Sequence, residues 1–221
     1  MEKKLVVAID GPAGAGKSTI AKLVAEQLGY IYIDTGAMYR SVAWKFLQSQ
    51  QAFSPELVGS LAEQMVITFK PEAKLNRVFV DGSEVTEAIR TPAVTEKVSQ
   101  VAAVGAVRTA MVEQQRRMGA AGGVVMDGRD IGTVVFPQAD LKVFLTASAQ
   151  ERALRRHKEM LAKGIQVDLQ QLQADIEARD KQDSERELAP LCCAEDAIYL
   201  DTSVMSIQDV TAKILQLVQE H

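Results

Sequence analysis

The sequence predicts an α/β fold, with a central parallel sheet between helices, a small antiparallel-sheet insert and a short helical lid. Three observations carry that expectation. Short apolar, largely β-branched runs alternate with stretches of helical period along most of the chain, which implies parallel strands joined by right-handed crossovers. The first run, Leu5–Ile9, leads straight into a glycine-rich loop and then a helix. One stretch, between residues 66 and 85, breaks the alternation with the pattern of an antiparallel hairpin.

The elements follow in chain order. Leu5–Ile9 is a buried strand: five apolar residues are too few for a signal segment, which needs roughly 7–15, and Asp10, Gly11 and Pro12 interrupt the run. A helix runs from about Ser18 to Leu28, with Gly29 as its stop. Tyr30–Ile33 is a short strand, followed by a helix from about Met38 to Gln48. Val66–Lys70, Arg77–Val80 and Ser83–Val85 are antiparallel strands, and Asp81–Gly82 is a two-residue hairpin turn. Helical pattern returns from Glu87 to Met118. The Gly119–Gly123 cluster then leads into the strand Gly123–Met126. Leu141–Leu145 and Ala197–Leu200 are further strands, and Ile207–Val218 is a closing helix. The expected division is a core of residues 1–36, 100–149 and 187–221, an insert of residues 37–99, and a lid with flanking helices over residues 150–186.

Composition narrows the function classes. Of 221 residues, 47% are hydrophobic and 24% charged, an ordinary globular mixture. The net charge of −4 argues against broad nucleic-acid or membrane-surface binding. No apolar run approaches the roughly 18 residues of a membrane span. The two cysteines, Cys192 and Cys193, are adjacent and match no zinc spacing; two reduced thiols in a loop fit a cytoplasmic, soluble protein.

The strongest motif is Gly11-Pro12-Ala13-Gly14-Ala15-Gly16-Lys17-Ser18, followed by Thr19. It is the G-x-x-x-x-G-K-[ST] phosphate loop, in the strand–loop–helix context it requires. Glycines let backbone N–H groups curl around phosphate oxygens, and the helix N-terminus adds positive potential. Lys17 brings a flexible charge to the outer phosphates, and the Ser18 hydroxyl can ligand Mg²⁺. A dinucleotide-binding G-x-G-x-x-G is excluded because Thr19 stands where its last glycine belongs. The motif alone leaves GTPase, ATPase and kinase open. A GTPase needs a guanine-reading N-K-x-D motif after a strand; the nearest match, Asp180-Lys181-Gln182-Asp183, lies in a charged, helix-like stretch.

A second anion site is expected at Asp34–Arg40. Thr35 is a candidate N-cap whose first-turn N–H groups face an anion, and Arg40 can clamp a phosphate with two parallel bonds. The bland reading of Arg40 is a surface ion pair. Asp127 closes a core strand, where an acid lies beside a bound nucleotide and can hold the Mg²⁺ water shell. Arg129 is a candidate phosphate ligand, and Asp130 an acceptor for an exocyclic amine; a turn with capping carboxylates is the plainer alternative.

Taken together, GPAGAGKST (Gly11–Thr19), DTGAMYR (Asp34–Arg40), IRTPAV (Ile89–Val94), SQVAAVGAVR (Ser99–Arg108), DGRDIGTVVFP (Asp127–Pro137), ERALRR (Glu151–Arg156) and RDKQDSER (Arg179–Arg186) make the chain resemble the bacterial-type cytidylate kinases. These belong to the P-loop nucleoside monophosphate kinases, with the P-loop NTPase three-layer fold. The likeness spans Leu5 to Leu217. It implies that the antiparallel insert is the monophosphate-binding domain, and that the reaction moves the γ-phosphoryl group of ATP to CMP or dCMP with Mg²⁺ as cofactor. It further implies that Gly11–Thr19 bind ATP and that Thr35, Arg40 and Arg129 hold the monophosphate. Ser99, Arg108 and Asp130 would face the base, and Asp183 the ribose, with Arg179 and Arg186 nearby. Those residue types complement cytosine, which offers two acceptors and one amine donor. Without the resemblance, Ser99 and Arg108 are ordinary helix-surface residues, and Arg179/Asp183 a solvated i,i+4 pair. Family members are usually monomers.

Arg152, Arg155, Arg156, Lys158 and Lys163 stand against a single Glu159, and the three arginines share one helix face. They are either a solvated basic face or the cations of a lid closing over transferring phosphates, with Gly164 as the turn. Arg156 is the first candidate for adenine or phosphate contact and Arg152 the second; with Lys17 and Arg129 they form the expected catalytic set. Neither His157 nor His221 is placed as a base, and none is needed: a monophosphate with a second pKa near ~6 is already largely dianionic. The rivals are a kinase for UMP or AMP, and a non-catalytic P-loop switch. Asp130 disfavours uracil, whose O4 would meet an acceptor.

Overall fold

A computed structural model of the chain describes residues 4–70, 76–162 and 164–220. The chain begins β1 (Val6–Asp10), α1 (Lys17–Leu28), β2 (Ile31–Asp34), α2 (Thr35–Ser49) and α3 (Pro55–Gln64). The antiparallel strands β3 (Ile67–Lys70), β4 (Arg77–Val80) and β5 (Ser83–Glu84) come next. A 3₁₀ turn (Ala88–Arg90), α4 (Pro92–Ala102), α5 (Gly105–Gly119), β6 (Val124–Gly128) and a π-helical turn (Ile131–Val135) follow. The chain closes with β7 (Leu141–Thr146), α6 (Ala149–Ala162), α7 (Leu169–Glu185), β8 (Ile198–Asp201) and α8 (Ile207–Gln219).

The main sheet has the order β2-β6-β1-β7-β8, and every pairing is parallel. Its pleat sorts side chains by alternation. Val7 and Ile9 of β1 and Val125 of β6 pack with Ile20 and Val24 of α1 and Val210 and Ile214 of α8. Ala8, Val124 and Met126 face the other way, onto Met38 and Val42 of α2 and Val107 and Met111 of α5. Helices therefore cover both faces, giving the three layers expected. Ile67, Val78 and Val80 of the small sheet join the second of these clusters. Buried Gln114 of α5 ties the insert down, accepting from Ile67 N at 3.2 Å and donating to Met65 O at 3.0 Å.

The sequence reading differs from the structure in several places. α3 was not expected; Ser54 caps it, accepting from Leu57 N at 3.1 Å, and Pro55 occupies the first turn. The helical stretch from Glu87 to Met118 is three pieces, because Thr91 and Pro92 start a new helix. The π-helical turn after β6 has no period to betray it. The hairpin turn matches: Asp81 and Gly82 both have positive φ, 50° and 81°.

Candidate active site

The C-terminal ends of β1, β2 and β6 open into a cleft of about 1740 Å³. That exceeds the ~300–1,000 Å³ of a pocket for one small ligand, so two can be held side by side. Ala13 to Thr19 line it, while Gly11 and Pro12 are buried. Gly11 has φ 146°, and a Cβ there would lie 1.9 Å from the Leu145 carbonyl oxygen, so no side chain fits. Lys17 folds back on the loop, donating from Nζ to Pro12 O at 2.7 Å. Burial, and then the neighbouring Arg129 charge, hold its ammonium well below the usual lysine range; Asp127 and Asp10 oppose the shift.

Asp127 ends up between two hydroxyls. Ser18 Oγ donates to its Oδ2 at 3.0 Å and Tyr32 OH to its Oδ1 at 2.8 Å. Burial, then the Asp34 charge, push its pKa up to about 6. Ser18 and Asp127 together present hard oxygen donors, the kind Mg²⁺ takes. Among the described residues no group of three or more His, Cys, Asp or Glu could hold a metal unaided. The residues thus fit an ion shared with nucleotide phosphates.

At the second anion site the cap is Asp34, not Thr35. Asp34 has extended backbone and accepts from Ala37 N at 2.8 Å, so Thr35 becomes the first helical residue. The Thr35 hydroxyl instead donates to Asp127 O at 2.7 Å, lacing α2 to β6. Arg40 lines the cleft and, among the described residues, has no carboxylate within ion-pair distance, against the surface-pair reading. Its guanidinium is held below the usual arginine range by burial. Arg90, 3.9 Å from Asp34, faces the same space.

Deeper in the cleft Arg108 is 5% exposed rather than on a helix surface. It donates to Asp130 Oδ2 and, at 3.3 Å, to Ala102 O, with its guanidinium 5.5 Å from the centre of the Tyr39 ring. Ser99 is half-buried on the same wall. Arg186 stands 3.9 Å from Asp130 Oδ1 and 3.8 Å from Asp183 Oδ1. Asp183 is not a solvated partner of Arg179: Arg129 Nε donates to it across the cleft at 3.0 Å. Arg179 is left with a buried Nε lacking a partner, and burial brings its pKa down to about 10.

The three arginines of α6 expected in a lid diverge. Arg152 is 5% exposed and donates to Ala147 O at 2.9 Å, to Ala13 O of the phosphate loop at 2.8 Å and to Asp180 at 2.5 Å. It is a tie beneath the loop, not part of a solvated face. Arg155 bonds Glu151 at 3.2 Å and Thr202 O at 2.7 Å. Arg156 alone is exposed, on the cleft wall, 3.8 Å from Glu159. Lys163 and His221 lie outside the described residues.

Residues 7–220 match the family model described as cytidylate kinase. The chain belongs to the cytidylate kinase family. It is 53% identical over 218 residues to the cytidylate kinase of Exiguobacterium sibiricum, covering 98% of each chain. It is 51% identical to that of Pediococcus pentosaceus, covering 99% of this chain and 97% of the relative. A shikimate kinase from Bacteroides thetaiotaomicron shares the fold at 11% identity, with a TM-score of 0.51 over 97% of this chain and 98% of that one.

Against this cytidylate kinase background, the sequence reading missed three groups. Tyr32 sits on Asp127, and Arg90 beside Asp34. Asp10 is buried at the end of β1, where it accepts from Ile131 N at 2.8 Å and Gly132 N at 2.7 Å. Burial pushes its pKa up to about 6 against those two bonds. An acid closing an apolar strand was the available signal for Asp10; nothing local marks the other two. The guanine-motif look-alike Asp180–Asp183 is mid-helix in α7, which disposes of the GTPase reading.

Proposed function

We propose that this chain transfers the γ-phosphoryl group of ATP to CMP and dCMP, giving ADP and CDP or dCDP. One observation carries the choice of acceptor: the buried Arg108–Asp130 pair, with Ser99 beside it, on a wall of the same cleft as the phosphate loop. A guanidinium and a hydroxyl suit the cytosine O2 and N3 acceptors, and a carboxylate suits its N4 amine. Family membership supports the same reaction.

The geometry and the family resemblance support the following roles. Gly11–Thr19 cradle the ATP phosphates, and Lys17 exchanges its Pro12 carbonyl for a phosphate oxygen. Ser18 ligands Mg²⁺ and Asp127 holds its water shell; when bound, the ion neutralises charge on the outer phosphates. Thr35, Arg40 and Arg129 hold the monophosphate, and Asp183 the ribose, with Arg179 and Arg186 flanking. Arg129 and Asp183 satisfy each other at 3.0 Å, so a substrate carrying phosphate and hydroxyls replaces one ion pair with two matched contacts. Arg156 reaches the adenine or the phosphates, and Arg152 fixes the loop that carries them. No base is required of the protein, because the attacking phosphate is already ionised near neutral pH. Catalysis is in-line positioning plus charge stabilisation, and closing residues 150–186 over the cleft keeps water from competing as acceptor. Residues 37–99 serve as the monophosphate-binding domain on a core of 1–36, 100–149 and 187–221. We place the working enzyme in the cytoplasm as a monomer without nucleic-acid partners; among the described residues no helix is long and apolar enough to cross a membrane.

The test is ADP formation from Mg-ATP with CMP, dCMP, UMP and AMP offered separately. Strong turnover with CMP and dCMP, weak with UMP and little with AMP, is expected. Turnover confined to UMP or AMP discards the roles of Ser99, Arg108 and Asp130; ADP release with no acceptor at all discards the kinase reading.

A further inference from the structure

We propose that Asp10 is a positioning residue for substrate choice: its carboxylate pins Ile131 and Gly132 to the end of β1, setting where the preceding residue, Asp130, meets the base. The inference rests on the CMP reading above and adds to it a residue that touches no substrate.

Asp10 is the last residue of β1 and stands immediately before Gly11 of the phosphate loop. It is 6% exposed. Its two oxygens each take one backbone N–H, Ile131 at 2.8 Å on Oδ1 and Gly132 at 2.7 Å on Oδ2. Those are the two residues directly after Asp130, and they open the π-helical turn, where N–H groups have no partner within the turn itself. A carboxylate is the one short side chain that offers two acceptors and no donor. Asparagine keeps one acceptor and turns an NH₂ toward the other N–H.

Lys142 packs beside Asp10 against the same turn. A Cβ at Gly132 would lie 3.0 Å from Lys142 Cδ and 3.4 Å from Asp10 Oδ2. Lys142 cannot swing clear freely, because its Nζ is anchored on Pro137 O at 2.6 Å and on both Asp196 oxygens at 2.8 and 2.7 Å. Asp10 and Lys142 thus leave Gly132 no room for a side chain, and only a glycine lets the turn come this close to the sheet. Asp130, one residue before the turn, is tied to it through its own carbonyl, which accepts from Val134 N at 2.9 Å and Val135 N at 3.2 Å. The strand end that launches the ATP-binding loop therefore also fixes the height of the proposed base reader.

The experiment compares kcat/KM for CMP and for UMP in the wild-type chain, Asp10→Asn and Gly132→Ala, with thermal stability alongside. The CMP-over-UMP preference is expected to fall about tenfold in Asp10→Asn, the scale of one misplaced hydrogen bond, with KM for CMP rising more than KM for ATP. Gly132→Ala leaves Asp10 in place and shifts the turn, so it must lower the preference too, and it decides the matter if Asp10→Asn does not fold. A preference that survives unchanged in the folded variants, with only stability reduced, overturns the inference and leaves Asp10 a structural residue. A wild-type chain that does not prefer CMP fails the functional reading first, and this inference falls with it.

Discussion

Asp130→Asn is the sharpest probe of the site, because it separates a counter-ion from a base reader. The side chains of Arg108 and Asp130 are 7% and 6% exposed, and among the described residues the only other hydrogen bond of the Arg108 guanidinium is to Ala102 O at 3.3 Å. Removing one partner of a buried pair costs about 3–5 kcal/mol. Asparagine retains an acceptor oxygen for Arg108, so the expected loss is nearer ~2–3 kcal/mol. For a chain of 221 residues, at about 2–4 °C per kcal/mol, the midpoint of thermal unfolding should fall by roughly 4–12 °C. The second effect is chemical. The cytosine amine loses its acceptor, while uracil O4 gains a donor. A shift of about 2 kcal/mol in discrimination moves the CMP/UMP ratio of kcat/KM by about thirtyfold toward UMP. The assay is that ratio, measured well below the new unfolding midpoint. A lowered midpoint with an unchanged ratio refutes the base-reading argument and leaves Asp130 as the counter-ion of Arg108.

Other perturbations test other parts of the site. Lys17→Ala should lower turnover at least about 10²–10³-fold, by analogy with loss of one transition-state donor, while circular dichroism reports an intact fold; unchanged turnover removes the phosphate-loop assignment. Arg152→Ala should destabilise the chain by about 3–5 kcal/mol and raise KM for ATP, and Arg152→Lys should not restore it, because three separate acceptors need the guanidinium fork; a stable variant with only kcat reduced would return Arg152 to the mobile lid. Asp127 has its pKa raised from 3.8 to about 6, so the folded state holds that proton more tightly than the unfolded one. Its contribution to stability is therefore fullest below pH 3.8 and lost as pH rises through about 6. Measured against the wild-type chain, Asp127→Asn should accordingly be more favourable at pH 8 than at pH 4, by on the order of 3 kcal/mol, while losing Mg-ATP turnover; a difference from wild type that does not change with pH contradicts the burial argument. In the wild-type enzyme kcat/KM for Mg-ATP should drop below about pH 6, as Asp127 protonates; a flat profile down to pH 5 says the bound ion pulls that pKa down.

Much of the architecture was legible locally. Gly11, Gly14 and Gly16 all take positive φ, and a strand–loop–helix with that glycine spacing is the only context in which the phosphate loop closes. Asp81–Gly82 announces its own hairpin. The alternation in β1 assigns Val7 and Ile9 to one face and Ala8 to the other, whatever lies opposite. Two of the misses share a cause. Thr35 reads as the cap from sequence, because the choice between it and Asp34 depends on backbone angles that no spacing encodes. The π-helical turn leaves no period, whereas the break before α4 is marked locally by the capping Thr91 and by Pro92 in the first turn.

The sequence by itself determined the local features: the glycine-rich loop between β1 and α1, which strand end carries the acid, where the chain folds back on itself. These depend on groups within a few residues of one another. Tertiary structure alone decided which charges are buried and with whom. Arg108 and Asp130 are 22 residues apart and Arg129 and Asp183 are 54, while Arg152 reaches back 139 residues to Ala13. A guanidinium on a polar helix reads as solvated until another element brings a carboxylate or carbonyl to it and removes the water. That removal costs both charges their hydration and strengthens their mutual attraction, so the balance belongs to the packing of distant segments and cannot be seen in either segment alone.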